Sequence, residues 1–170
     1  MVYASIVFLI YFSLLLLNKI ESGSSDFTLL VREIALQNAP KKKLHGKEVF
    51  VIPSYNEGKV IASTVQHIVD AGYKHIVVVN DGSSDATLEV LEPYMKHATV
   101  LSHYKNRGQG ASLETGFEYV RRYGEVEYVV TFDADGQHDI NDLKEFEKYL
   151  DHHHGVDVLL GSRFIGKKST

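Results

Sequence analysis

Asp133 and Asp135 stand one residue apart where an apolar run stops, in the stretch VVTFDADGQHD from Val129 to Asp139, with the amide of Gln137 close behind. Two carboxylates at that spacing repel each other unless something cationic lies between them. A hard divalent metal carrying phosphate oxygens suits such a pair. A strand that ends in a solvated acidic turn, with Asp139 capping the next helix, accounts for the same residues. The rest of the chain has to choose between the two.

Further polar clusters follow other apolar runs. Pro53-Ser54-Tyr55-Asn56-Glu57 offers a ladder-ending proline, a ring that can lie against a flat base, and a carboxylate that can accept from a base or ribose. Taken in isolation, a strand-to-helix turn with Asn56 as cap explains it better. In Asn80-Asp81-Gly82-Ser83-Ser84-Asp85, Asp81 stands at the strand end and Ser84 is placed to cap a helix. Asn106-Arg107-Gly108-Gln109-Gly110-Ala111-Ser112 carries two glycines that would let backbone N–H groups approach a phosphate, without the spacing of a dinucleotide or phosphate-loop fingerprint. Gly161-Ser162-Arg163-Phe164 adds a guanidinium suited to phosphate oxygens.

The elements that must position these clusters alternate. Strands are predicted at Val49 to Ile52, Ile76 to Val79, Thr99 to Leu101, Tyr128 to Phe132 and Val156 to Leu160. Between them, helical periodicity covers Val60 to Ala71, Ser84 to Met95, a segment through Leu113, Phe117 and Val120 that ends at Gly124, and Ile140 to Leu150. Such alternation predicts an α/β fold with a mainly parallel sheet between helices, and ligands in such sheets gather beyond the carboxyl ends of the strands. The polar clusters fall there. His152 to His154 reads as a solvated loop rather than a metal site, because three adjacent side chains do not share a face.

The composition excludes some classes. With 18 basic and 22 acidic residues the net charge is −4, which leaves no basic footprint for nucleic acid, and the absence of cysteine rules out disulfides and thiolate metal sites. Every residue from Val2 to Leu17 is apolar or aromatic except Ser5 and Ser13. Residues 1–20 are therefore expected to form a transmembrane or membrane-anchoring helix, residues 21–46 a linker with a short helix between the breaker clusters SGSSD and APKKK, and residues 47–170 the folded domain. Lys19, Arg32 and Lys41 to Lys43 follow the apolar run, which places that domain on the cytoplasmic side.

The order IPSYNE, VVNDGSSD, NRGQGASLETGF, VTFDADGQHDIND and LLGSRF resembles the family-2 glycosyltransferases, in particular their dolichyl- and polyprenyl-phosphate mannosyl- and glucosyltransferase branch. The resemblance runs from Val49 to Phe164. It implies a glycosyltransferase-A fold, Rossmann-like, and an inverting enzyme that takes a nucleotide-diphosphate sugar as donor, uses Mg²⁺ or Mn²⁺, and acts on a lipid phosphate at a membrane. Carried over by position, it assigns Pro53, Tyr55, Glu57, Val79 and Asp81 to the nucleoside. It assigns Asp133, Asp135 and Gln137 to the metal, the backbone of Ala134 to the donor, and Arg163 to the phosphates, with Asp133, Asp135 and Arg163 as the catalytic set. Gln109 departs from the pattern, since many relatives have lysine there. Relatives also continue past Thr170 with an acceptor-binding segment, so the chain reads as truncated at its C-terminus. The alternatives are a hydroxyl-acceptor polysaccharide transferase and a shortened, non-catalytic nucleotide-sugar-binding module.

Overall fold

The structure, a computed structural model, describes residues 2–135 and 138–161, the side chains of residues 2–5, 8, 18, 20 and 22 apart. The chain divides into two units, Met1–Gly136 and Gln137–Thr170.

The first unit is built on four parallel strands. They are β1 (Leu44–Ser54), β2 (Ile76–Asp81), β3 (Ala98–His103) and β4 (Gly124–Thr131), in the order β3-β2-β1-β4. Ile76, Val77, Val78 and Val79 are each 1% exposed or less, as a strand covered on both faces requires. Alternate residues point to opposite faces, so Val49, Val51, Val77 and Val79 form one core layer with Leu101, Tyr119 and Val120. On the other face Phe50 meets the rings of Tyr73 and Phe132.

Helix α2 (Ile61–Asp70) connects β1 to β2, and α3 (Thr87–Leu91) with a short 3-10 turn (Glu92–Tyr94) connects β2 to β3. The single helix predicted over Ser84 to Met95 is split there because Pro93 cannot donate the bond that would continue it. Helix α4 (Gln109–Tyr123) crosses β1 and β2 closely. A side chain at Gly116 would place its Cβ 2.4 Å from Val51 Cγ1, so the approach requires glycine.

Helix α1 (Val2–Asn38) is longer than the sequence suggests. The SGSSD cluster lies inside it rather than in a linker. Its C-terminal half buries Val31, Ala35 and Leu36 and packs against β3 and α4, and such tertiary contacts outweigh the weak helix propensity of glycine and serine. Arg122 of α4 joins Glu33 of α1 at 2.8 Å and Glu118 at 2.7 Å. The residues expected to cross a membrane are the first turns of this helix. Among the described residues, no helix is long and apolar enough to do so. The apolar run from Val2 to Leu17 spans only ~24 Å of helix, short of a ~30 Å hydrocarbon core.

In the second unit, α5 (Asp142–His152) has Asn141 at its N-cap position with no side-chain capping bond; the carboxylate of Asp139, expected to cap the helix, instead accepts the Asn141 N–H at 2.9 Å in the turn before it. The strand predicted over Val156 to Leu160 does not form. That segment is irregular, with Val158 72% and Leu160 82% exposed, and a short apolar run alone does not make a strand without a neighbour to pair with.

Arg121 and Arg122 donate to Glu118 and hold its carboxyl down to about 2, against an ordinary 4.5. A depressed carboxylate contributes stability that is present above its unfolded value and is lost as pH falls through its folded value. Glu118→Gln is therefore expected to lower Tm at neutral pH, with the gap from the unsubstituted protein closing as pH drops from 4.5 towards 2, as followed by thermal circular dichroism.

Candidate functional site

The carboxyl ends of β1, β2 and β4 open onto a cleft of about 500 Å³. Its floor begins at Pro53 and Ser54, the last residues of β1, and its mouth carries the half-exposed Tyr55 ring. The loop after β1 is laced to the loop after β2. Asn56, with a left-handed φ of 56°, donates its N–H to Ser83 Oγ at 2.9 Å and accepts the Ser84 N–H on its side-chain oxygen at 2.9 Å. Glu57 N–H reaches Thr87 Oγ1 at 2.9 Å, and Gly58 N–H reaches Asp85 Oδ2 at 3.0 Å. Ser84 does not cap α3, whose N-cap position is Ala86; Asp85 takes the Thr87 N–H at 3.0 Å just ahead of the helix. The Thr87 hydroxyl beside it holds the Asp85 carboxyl below the usual range.

Asp81 lines the cleft yet is 2% exposed. A buried carboxylate needs donors, and it has several. His103 Nδ1–H donates to Oδ1 at 2.7 Å, Arg107 N–H donates at 2.9 Å, and Gly108 N–H donates to Oδ2 at 2.7 Å. Thr115 Oγ1 lies 2.9 Å from the other ring nitrogen of His103 and fixes the ring. Two of the backbone N–H groups expected to approach a phosphate therefore serve Asp81 instead. Gly82, at φ +69°, lets the β2 loop lie against the same segment; a Cβ there would come 2.8 Å from Asn106 N.

The guanidinium of Arg107 points away towards α1. It donates to Thr28 Oγ1 at 2.7 Å and Ser24 Oγ at 2.8 Å, and lies 5.2 Å from the centre of the Phe27 ring. His103, Thr115 and Arg107 were not legible as a unit, because their partners lie 12 to 83 residues away along the chain.

The acidic turn closes the cleft. Asp133 and Asp135 both line it, and Gln109 Nε2 donates to Asp133 Oδ1 at 3.0 Å, so this amide reaches the carboxylate directly. Ala134 is 4% exposed, and its carbonyl accepts from Thr64 Oγ1 of α2 at 3.0 Å, which anchors the turn from behind.

The structure thus brings Pro53, Tyr55, Glu57, Asp81, Asp133, Ala134 and Asp135 to one cleft. Val79 is not among them. It is fully buried in β2, on the same strand face as Asp81 but one step further from the strand's end, and its side chain packs in the core layer beneath α4. Gln137 and Arg163 lie outside the described residues. Among the described residues, no group of three or more His, Asp or Glu side chains could hold a metal ion. A pair of carboxylates still fits Mg²⁺ or Mn²⁺, because such ions take one or two protein carboxylates and complete their shell with phosphate oxygens and water. Asp133 can accept both an amide and a cation, since a carboxylate offers about four lone-pair sites.

Comparison with known proteins gives a consistent picture. Residues 49–170 match the family model described as Glycosyl transferase family 2. An uncharacterized protein of Methanocaldococcus jannaschii is 38% identical over 132 residues, covering 77% of this chain and 53% of that protein. The UDP-N-acetylglucosamine--dolichyl-phosphate N-acetylglucosaminyltransferase of Methanococcus voltae is 31% identical over 108 residues, covering 55% of this chain and 43% of that enzyme. The chain therefore spans about half, or less, of the length of these relatives. Among solved structures, the crystal structure of S. aureus TarS 1-349 superposes with a TM-score of 0.52 at 26% identity, over 64% of this chain and 33% of the other.

Since Asp81 gathers the donors that hold the segment after β3, Asp81→Asn removes the charge that pairs them. Exchange of the Arg107 and Gly108 amides with solvent, read by NMR, is expected to rise by about tenfold or more. Unchanged protection would separate Asp81 from the loop.

Proposed function

The chain belongs to glycosyl transferase family 2, and on that premise we propose that it transfers a sugar from a nucleotide-diphosphate sugar to a polyprenyl phosphate, with inversion at the anomeric carbon. The observation that carries this reading is the convergence of Asp81, Asp133 and Asp135 on one cleft at the carboxyl ends of a parallel sheet. The named dolichyl-phosphate transferase among the relatives supports the choice of acceptor.

Tyr55 offers an exposed ring against which a base can lie, and Glu57 offers a carboxylate for a base or ribose donor. Asp81, committed to the backbone after β3, acts on the nucleoside mainly by shaping its corner. Asp133 and Asp135 would hold Mg²⁺ or Mn²⁺, which when bound neutralises the charge that builds on the departing diphosphate. Gln109 fixes the orientation of Asp133. By the resemblance, Gln137 would join the metal ligands and Arg163 would meet the phosphates.

In the transfer, an oxygen of the acceptor phosphate forms a bond to the anomeric carbon as the bond from that carbon to the diphosphate oxygen breaks. The electron pair leaves with the nucleoside diphosphate. A phosphate acceptor is already an anion at neutral pH, so the step requires no general base from the protein. Membrane contact belongs to the same proposal. The N-terminal half of α1 exposes Ile10, Phe12, Leu14 and Leu17, a surface suited to lipid, and the cations downstream favour a catalytic unit on the cytoplasmic face.

The test combines a labelled donor with a polyprenyl phosphate in lipid vesicles. Label is expected in the organic-soluble lipid fraction, and Asp135→Asn is expected to reduce that transfer by about a hundredfold or more. Turnover undiminished in the variant would refute the site. Label appearing only in a water-soluble glycan would redirect the reading to a hydroxyl acceptor.

A further inference from the structure

Ser54 is the last residue of β1 and lines the cleft, is 3% exposed, and its hydroxyl has no hydrogen-bond partner among the described residues. A buried hydroxyl left without a partner is destabilising. Its surroundings show no rescue from secondary structure. The backbone of Ser54 pairs with Asn80 of β2, while the neighbouring Asn80 side-chain oxygen takes the Ser83 N–H at 3.2 Å. Serine is also a poor choice on packing grounds for a site this buried at the end of a valine-rich strand, where an alanine would carry no such cost.

The position of the residue indicates what it meets. On one side, β2 brings Asp81 and the nucleoside corner. On the other, β1 lies between β2 and β4 in the sheet, and the acidic turn that follows β4 lines the same cleft as Ser54. Ser54 therefore stands between the corner that would take the nucleoside and the carboxylates that would take the metal and diphosphate. The part of a nucleotide that spans that interval is the ribose with its first phosphate, which is rich in oxygen acceptors.

Resting on the donor reading above, we propose that Ser54 is a donor-binding residue, its hydroxyl donating a hydrogen bond to an oxygen of the ribose-phosphate portion of a nucleoside diphosphate. The hydroxyl is held unpartnered in the free protein and is satisfied when the nucleotide enters. This gives two readouts of opposite sense. Removing the hydroxyl relieves a cost in the free protein and creates one in the complex.

The experiment is isothermal calorimetry of the full chain and of Ser54→Ala with UDP and with GDP, each in the presence of Mg²⁺, alongside the Tm of both proteins without nucleotide. The expected result is that Ser54→Ala binds the nucleotide about five- to tenfold more weakly while its free-state Tm stays level or rises. Equal affinity in the two proteins, with nucleotide bound by both, overturns the role of Ser54 and leaves the donor reading standing. A fall in Tm with affinity unchanged overturns it as well, by showing that the hydroxyl serves the fold. If the unsubstituted chain binds neither UDP nor GDP, the donor reading fails, and the role of Ser54 fails with it.

Discussion

A carboxylate buried to 2% exposure organises the upper end of this molecule. Asp81 cannot remain charged inside the protein without donors, and the donors available are the backbone N–H groups of Arg107 and Gly108 and the ring of His103. Meeting that need fixes the path of the chain between β3 and α4. The start of α4 then carries Gln109 to Asp133, and the far end of Arg107 secures α1 through Ser24 and Thr28. One unavoidable electrostatic requirement thus links the second strand, the third strand, the acidic turn and the N-terminal helix. On this account the shape of the cleft is set before any ligand arrives.

The parallel sheet and the location of the cleft were legible in the sequence because both follow from local signals. Strand β2 is a run of four apolar residues ended by Asn80 and Asp81, and each polar cluster follows such a run. The residues that support the site were not legible, because support is a matter of distant contact. Thr64 of α2 reads as an ordinary polar position until its hydroxyl is seen on the carbonyl of Ala134, 70 residues on. Arg107 reads as one polar residue of a glycine-bearing loop until its guanidinium is seen on Ser24 and Thr28 of α1. Val79 is a different case: its assignment came from position in a motif, and its side chain lies one step below Asp81 on the same strand face, packed in the core.

Helix α1 shows how tertiary contacts override composition. Ser22 to Asp26 carries the residues of a break, yet the helix runs through it to Asn38. The cluster lies just where Arg107 bonds Ser24 and where Phe27 meets Tyr104 edge-on. The same polar side chains that make the segment look like a linker are the ones that dock it. The helix thereby ties an exposed apolar N-terminal half to the rim of the cleft, which is a sensible arrangement for an enzyme whose proposed acceptor is held in lipid.

The central claim is that Asp133 and Asp135 hold a divalent ion together with the diphosphate of a nucleotide. The most direct measurement is paramagnetic broadening of the amide NMR signals on titration with Mn²⁺ in the presence of UDP or GDP. The account predicts that the signals of Asp133, Ala134 and Asp135 broaden first, and at lower Mn²⁺ concentration with nucleotide than without it. Broadening centred on the acidic residues of α5, or the same at the turn whether or not nucleotide is present, would contradict it.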